Sequence, residues 1–145
     1  MHWNDPEAGK GPPIMGWGYL PTIGEIAMVA MLLQNGGSHD GRQLLSPTLL
    51  AEVLAPSGEP GLPTDWLSEF GRYRYAMSFW YMPFESNEDC HVWIPEMMGY
   101  GRNVVALLPN GMTTIRLADA YEASPGQYEA GGMARVADAL APFCP

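Results

Sequence analysis

The stretch NVVALLPNGMTTIRLA at residues 103–118 decides the fold class. Two runs rich in apolar and β-branched residues, 103–108 and 112–118, flank Pro109-Asn110-Gly111. An Asn-Gly pair between two such runs is a strong signal for a β-hairpin. The stretch therefore predicts two neighbouring antiparallel strands that turn at Asn110-Gly111.

Further strand signals precede this hairpin. Aromatic and apolar residues alternate with other side chains over 73–81, and this period of two predicts one aromatic strand there. Residues 85–89 read as an acidic loop, and residues 90–94 as another short strand. Together with the hairpin, these runs predict a sheet.

Helix signals lie at both ends of the strand region. Thr22-Ile23-Gly24-Glu25 is a capping box, and Asn35-Gly36-Gly37 is a typical helix end, so a helix is expected over 22–35. Ser46-Pro47 opens a second helix that runs to about Leu54.

A terminal helix is expected over 131–140. It carries four apolar residues on one side: Met133, Val136, Ala137 and Leu140. The order of elements predicts an α+β fold with an antiparallel sheet and flanking helices. Residues 1–15, dense in Pro and Gly, are expected to be an irregular entry segment, and 16–145 a single domain.

Composition excludes several classes of function. The chain has 145 residues, 47% of them hydrophobic and 16% charged, with a formal net charge of −9. A nucleic-acid partner needs a basic surface that 7 cations among 16 acidic residues do not easily build. No apolar run reaches about 18 residues, so no membrane-spanning helix is expected, and no secretory signal is visible.

Two cysteines, Cys90 and Cys144, are too few for a disulfide framework or a cysteine zinc site. We interpret them as partly buried free thiols. A single bridge between them is the alternative.

The search for catalytic and metal-binding groups finds none to name. No Ser-x-x-Lys occurs, and Ser38-His39-Asp40 reads as a polar turn, because triad members meet through the fold rather than along the chain. The three histidines lie far apart, so no metal site is expected. Gly36-Gly37 lacks the Lys and Ser/Thr of a phosphate loop, so no cofactor is expected either.

Aromatic residues offer one candidate ligand groove. It comprises Tyr75, Phe79, Trp80 and Trp93. The alternative interpretation is that these rings pack in the core or at an interface.

Several motifs together resemble one protein family. Three segments occur in a fixed order in the first third of the chain. The first is Gly16-Trp17-Gly18-Tyr19-Leu20-Pro21-Thr22, which leads into the predicted helix. The helix ends in Leu32-Leu33-Gln34-Asn35-Gly36-Gly37, and residues 40–47 follow, with Asp40-Gly41 and Leu44-Leu45-Ser46-Pro47. Met98-Gly99-Tyr100-Gly101 leads into the predicted hairpin. This succession resembles the β-lactamase-related serine hydrolases, which include class C β-lactamases, D,D-peptidases and esterases.

The resemblance runs from about residue 16 to residue 141 and covers only the C-terminal part of the family domain. It implies the rear portion of a serine β-lactamase-like fold. The family's Ser-x-x-Lys and Tyr-x-Asn elements lie upstream and have no counterpart here. Its third motif, Lys-Thr-Gly or His-x-Gly, aligns with Met97-Met98-Gly99, where only the glycine is kept. We therefore take Met97, Met98, Gly99, Tyr100 and Gly101 as the equivalent binding segment.

Three functions follow as expectations. The first is a catalytically silent remnant or fragment of such a hydrolase that acts in binding or assembly. It would pair as a homodimer, through strand 73–81 or the first helix, or with a complementary N-terminal half. The second is a small-molecule binding module with an apolar pocket. The third is part of an active serine hydrolase whose nucleophile lies in a missing N-terminal region. Family members are often exported, but the sequence leaves the localisation open.

Overall fold

A computed structural model describes residues 2–3, 19–64, 72–99, 103–117 and 130–144. The predicted α+β class is confirmed, because helices flank an antiparallel sheet of six strands. The first part of the chain contains β1 (His2–Trp3), β2 (Tyr19–Leu20), α1 (Ile23–Gln34), β3 (Ser38–His39), β4 (Arg42–Gln43) and α2 (Pro47–Leu54). The second part contains β5 (Leu62–Pro63), β6 (Arg74–Ala76), β7 (Phe79–Asn87), β8 (Cys90–Gly99), β9 (Asn103–Leu107), β10 (Thr113–Arg116) and α3 (Ala130–Leu140).

The large sheet is a meander. Its strand order is β10-β9-β8-β7-β6-β5, so each strand pairs antiparallel with the strands next to it in sequence. Two small pairs, β1–β2 and β3–β4, lie outside it. The first of these pairs residues 2–3, which lie in the predicted entry segment, with residues 19–20.

Helix α1 begins and ends where local chemistry predicts. The Glu25 amide donates to the Thr22 hydroxyl at 3.3 Å, and the Thr22 amide donates to the Glu25 carboxylate at 2.8 Å. These bonds satisfy amides that have no partner within the helix. At the other end Gly37 has φ +80°, and its amide donates to the Leu32 carbonyl at 2.8 Å.

Helix α2 follows its predicted start as well. The Leu49 amide donates to the Ser46 hydroxyl at 3.4 Å, and Pro47 occupies the first helical position. Both helix predictions made from capping residues are therefore confirmed.

Helices cover both faces of the sheet. One cluster joins α1 and α2 to β9 through Ala30, Leu33, Leu50, Val105 and Leu107. The other joins α3 to strands β7, β8 and β9 and their flanking residues. That second cluster consists of Tyr73, Met82, Phe84, Ile94, Ala106, Leu108, Ala134 and Ala137. The sheet is thus the middle of three layers.

The prediction of one continuous strand over 73–81 is wrong. Strands β6 and β7 form a hairpin, and Met77 (φ 47°) and Ser78 (φ 67°) make its turn. Neither residue type is a usual choice for positive φ, so alternation alone could not locate the turn. Strand β7 also continues through residues 85–87, which the sequence assigned to a loop.

The hairpin between β9 and β10 is confirmed, but its turn differs from a two-residue Asn-Gly turn. The Gly111 amide donates to the Leu108 carbonyl at 3.0 Å, and Gly111 has φ +81°. Pro109 and Asn110 are therefore the central turn residues, and Gly111 follows in the left-handed conformation. This arrangement is a type I turn with a glycine bulge, in which the fixed φ of proline fits the first central position.

Helix α3 faces the sheet with only one of the four predicted residues, Ala137. Ala134 and Ala137 are buried, whereas Met133, Val136 and Leu140 are exposed. The sheet already presents large side chains such as Phe84 and Ile94 under this helix, so small residues let the two layers approach closely.

The interpretation of the cysteines as free thiols is also wrong. Cys90 at the start of β8 and Cys144 after α3 form a disulfide, with their Cα atoms 6.0 Å apart. The bridge attaches the end of the chain segment that follows α3 to the middle of the sheet.

Candidate functional site

Strand β8 carries Met97, Met98 and Gly99, three of the five residues expected to form a binding segment. Met97 lies on the face covered by α1 and α2, and Met98 lies on the face covered by α3. Gly99 ends the strand opposite Asn103. Tyr100 and Gly101 lie outside the described residues. Since neighbours on a strand point to opposite faces, the two methionines contribute to different clusters.

Chemically, both methionines bring only thioethers to this position. A thioether carries no positive charge and donates no hydrogen bond, so neither side chain offers what binds a substrate carboxylate. Met97 and Met98 are half-buried packing residues on either side of the sheet.

Glu96, the residue before them, was not singled out from the sequence. It is fully buried in the central strand, opposite Trp80 on β7 and Ala106 on β9. Carboxylates are rarely fully buried in proteins. The available signal was a single acidic residue inside the otherwise apolar run WIPEMM at 93–98.

Tyr81 also carries a buried polar group. Its side chain is fully buried, and its hydroxyl has no hydrogen-bond partner among the described residues. Burial raises the pKa of the Tyr81 phenol above its ordinary value, because the ionised form loses its hydration. Its register neighbours are Arg74 on β6 and Pro95 on β8.

The aromatic residues predicted to share a groove divide between the two faces of the sheet. Tyr75 and Trp80 contact each other edge to face, with ring centroids 5.1 Å apart. Trp80 packs against the α3 cluster, whereas Phe79 packs against the α1 and α2 cluster. Trp93 lies further along β8, opposite Pro83. Only Trp93 of the four lines the two grooves described next.

Two grooves meet at His91, Val92 and Trp93. We call the first, of about 480 Å³, the arginine groove, and the second, of about 530 Å³, the loop groove. Beyond the shared residues, the arginine groove is lined by Glu59, Pro63, Arg72, Tyr73, Arg74, Pro83, Phe84 and Glu85. The loop groove is lined by Gln34, residues 54–58 and residues 107–109.

Charged groups in the arginine groove are already paired with one another. Arg74 forms an ion pair with Glu59 at 2.9 Å and donates to the carbonyls of Pro60 at 2.7 Å and Gly61 at 2.8 Å. Glu85 lies 3.5 Å from Arg72 and 3.9 Å from His91. These contacts fix the wall of the groove and balance its charge.

The loop groove brings one serine and one histidine to the same cavity. Ser57 and His91 both line it, and His91 has Glu85 on its other side. No hydrogen bond joins Ser57 to His91, and a nucleophile is activated only by a base within hydrogen-bond reach. This pair of described residues therefore does not form the core of a triad.

The Ser38-His39-Asp40 sequence lies at the surface. Asp40 (φ 48°) and Gly41 (φ 72°) turn the small β3–β4 hairpin. His39 and Asp40 are exposed, with Nε2 and Oδ2 3.4 Å apart. The predicted polar turn is therefore confirmed only at Asp40 and Gly41, because Ser38 and His39 form strand β3.

Helix α1 presents an apolar surface away from the sheet. The exposed fractions are 60% for Met28, 49% for Val29 and 60% for Met31. We call these three residues the outer face of α1. Leu44 and Leu45, also exposed, adjoin the end of the helix, because both their amides donate to the Gly37 carbonyl.

The described part of the chain contains no candidate metal centre. No group of three or more His, Cys, Asp or Glu side chains there is arranged to hold a metal ion. No helix in that part is long and apolar enough to cross a membrane.

Comparison of the chain with protein-family models, curated proteins and solved structures finds no match. The sequence motifs and the geometry described above are therefore the basis of the functional argument.

Proposed function

We propose that the chain is the C-terminal, sheet-forming part of a β-lactamase-related serine hydrolase and that it acts on its own in assembly rather than catalysis. The motifs over 16–47 and 97–111 support the family assignment. The order of two helices, an antiparallel sheet and a further helix is compatible with it.

The main support for a function in assembly is the exposure of the outer face of α1. Helix α1 contains one charged residue, Glu25, among 12. A helix that is apolar on all sides is normally covered on all sides. Among the described residues, the sheet and α2 pack against the side that includes Ala30 and Leu33, and the outer face is left exposed for a partner.

We assign that surface to a second copy of this chain. The protein carries a net charge of −9, which opposes association wherever carboxylates meet. The outer face of α1 has no charge of its own. Two copies of α1 that cross antiparallel would keep their Glu25 residues at opposite ends, so this face brings copies together with little repulsion. A twofold pair is also the commonest closed assembly.

The contact between two copies must extend beyond α1. A stable interface buries about 800 Å² per partner. A helix of 12 residues is about 18 Å long, too short to supply that area alone. The exposed Leu44 and Leu45 at the C-terminal end of α1 extend the apolar surface. Residues 73–81, the other contact expected from the sequence, form a hairpin. They therefore offer a less continuous surface than one long strand would.

Sedimentation equilibrium tests the assembly directly. We expect the wild-type chain at micromolar concentration and physiological salt to sediment as a dimer of 15.9 kDa subunits. The double variant Met28→Glu, Met31→Glu places two charges on the outer face of α1 and should be monomeric. The matched control Val136→Glu, Leu140→Glu makes the same change at two exposed positions of α3 and should remain dimeric.

Two results would contradict this assembly. A wild-type monomer would remove the self-association itself. Dimers in both double variants would place the contact elsewhere than α1.

A separate assay tests catalytic silence. We expect no turnover of nitrocefin or p-nitrophenyl acetate by the isolated chain, because acyl transfer needs an activated nucleophile. Turnover that one serine-to-alanine change abolishes would refute this part of the proposal. Ser57→Ala is the first such variant to compare, since Ser57 shares a groove with His91.

A further inference from the structure

Helix α3 makes a small contact with the sheet for its length. Of its described side chains, only Ala134 and Ala137 are buried. Gly131 and Gly132 in its first turn lower its intrinsic stability. Alanine side chains bury little apolar area, so packing along the helix gives weak attachment.

Stronger contacts gather at the C-terminal end of α3. The Asn110 side chain donates to the carbonyls of Ala137 at 3.0 Å and Ala141 at 2.9 Å. The Asp138 carboxylate accepts from the Ser86 hydroxyl and, at 2.7 Å, from the Phe143 amide.

Two contacts beyond the helix complete this attachment. The Phe143 ring packs on Phe84 with centroids 5.4 Å apart. Cys144 is joined covalently to Cys90 on β8. The disulfide thus lies at the C-terminal end of α3, where the other strong contacts with the sheet are also found.

We propose that the Cys90–Cys144 disulfide is a redox-operated latch that keeps α3 on the sheet and whose reduction lets the helix leave. The surface that α3 covers includes Phe84, Ile94 and Leu108, which are buried in the latched state. Opening the latch exposes this apolar surface on the face of the sheet opposite α1 and α2.

The sheet itself keeps its structure in the open state. Its six strands are joined by backbone hydrogen bonds between sequence neighbours, and none of these bonds involves α3. The α1 and α2 cluster continues to cover the other face. The change is therefore a local opening, of the kind in which one element separates at a lower free energy than the whole domain.

The burial of the two cysteine residues predicts the order of the exchange. Cys90 is 2% exposed, whereas Cys144 is half-buried, so an external dithiol reaches the Cys144 sulfur first. Its thiolate bonds to Cys144 Sγ, the protein S–S bond breaks, and Cys90 leaves as a thiolate that takes a proton. The second thiol of the reagent then displaces Cys144, so two electrons pass to the protein and the reagent becomes a cyclic disulfide.

Hydrogen exchange with mass spectrometry tests the latch, with dithiothreitol as the reductant. In the wild-type chain, we expect reduction to speed amide exchange in 130–144 by about tenfold or more. Exchange in β8 and β9 should stay within about twofold. The double variant Cys90→Ala, Cys144→Ala should exchange like the reduced protein whether or not dithiothreitol is present.

The double variant distinguishes the loss of the disulfide from any other effect of dithiothreitol. If that variant does not fold, the comparison of oxidised and reduced wild-type protein is still a complete test. Equal exchange of 130–144 before and after reduction would overturn the proposal. So would a parallel increase in β8 and β9, because the disulfide would then stabilise the whole domain rather than latch one helix.

Discussion

Replacing Asn110 with alanine should destabilise the protein far more than a turn residue normally does. The Asn110 side chain makes three hydrogen bonds: it donates to the Ala137 and Ala141 carbonyls and accepts from the Met112 amide at 3.1 Å. Each such bond contributes about 1 kcal/mol net, so Asn110→Ala should cost about 3 kcal/mol. For a domain of this size, that corresponds to a fall in Tm of about 6–10 °C.

Two further variants separate the role at α3 from the role in the turn. Asn87→Ala changes an asparagine at the end of β7 whose side chain accepts one bond, from the Asp89 amide at 2.9 Å, and should cost about 1 kcal/mol. Asn110→Asp keeps an acceptor for the Met112 amide and suits a turn equally well. Its carboxylate, however, would face two carbonyl oxygens, so it should be at least as unstable as Asn110→Ala.

Urea and thermal unfolding followed by circular dichroism measure all three variants. The reasoning is refuted if Asn110→Asp unfolds like the wild type, or if Asn110→Ala loses no more stability than Asn87→Ala. Either result would mean that the bonds to α3 contribute nothing beyond the turn.

Three more outcomes are expected. Tyr81→Phe should be as stable as the wild type or up to about 2 kcal/mol more stable in urea unfolding, because it removes a buried hydroxyl without a described partner. The raised pKa of Tyr81 adds stability that is present below the ordinary value of 10.0 and lost as the pH rises through the pKa of the folded state. The stability advantage of Tyr81→Phe should therefore grow at high pH, and a constant advantage would contradict this. Gly61→Ala should lower the Tm by several degrees more than Gly36→Ala, because both glycines have positive φ but only a Cβ at Gly61 would overlap the Tyr75 carbonyl. Equal Tm values would show that the loop around Gly61 can move to accommodate the methyl group. Hydrogen bonds from the Thr22 amide and hydroxyl lower the pKa of Glu25 below 4.5, so the carboxylate supports α1 above that pH and this support is lost as the pH falls through the lowered pKa. Thr22→Ala removes the hydroxyl bond but keeps the amide bond, so NMR should show the Glu25 carboxyl pKa moving only part of the way back towards 4.5, and an unchanged titration would rule out the hydroxyl contribution.

Local chemistry explains the parts of the fold that the sequence predicts well. The capping box at Thr22 and the serine–proline start at Ser46 act within a few residues, so α1 and α2 begin where expected. The Gly111 hairpin is located for the same reason, although proline in the turn changes its type. These features depend on neighbours in sequence, which a single sequence displays.

Features that depend on distant residues were not predictable in the same way. The disulfide joins cysteines 54 residues apart, and nothing local to Cys90 or Cys144 indicates the pairing. The two grooves at Trp93 draw their walls from separate loops, so the sequence could name the ring but not its neighbours. The turn at Met77-Ser78 escaped prediction, because alternation continued through it.

The placement of the helices also orders events during synthesis on the ribosome. Helices α1 and α2 leave the exit tunnel before any strand of the large sheet. The helices that cover one face of the sheet are therefore already present as each strand emerges. The other face stays bare until α3 follows, and it is open to chaperones or to neighbouring nascent chains in that interval. Cys144 emerges later still, so the disulfide can form only after all six strands of the sheet have been synthesised.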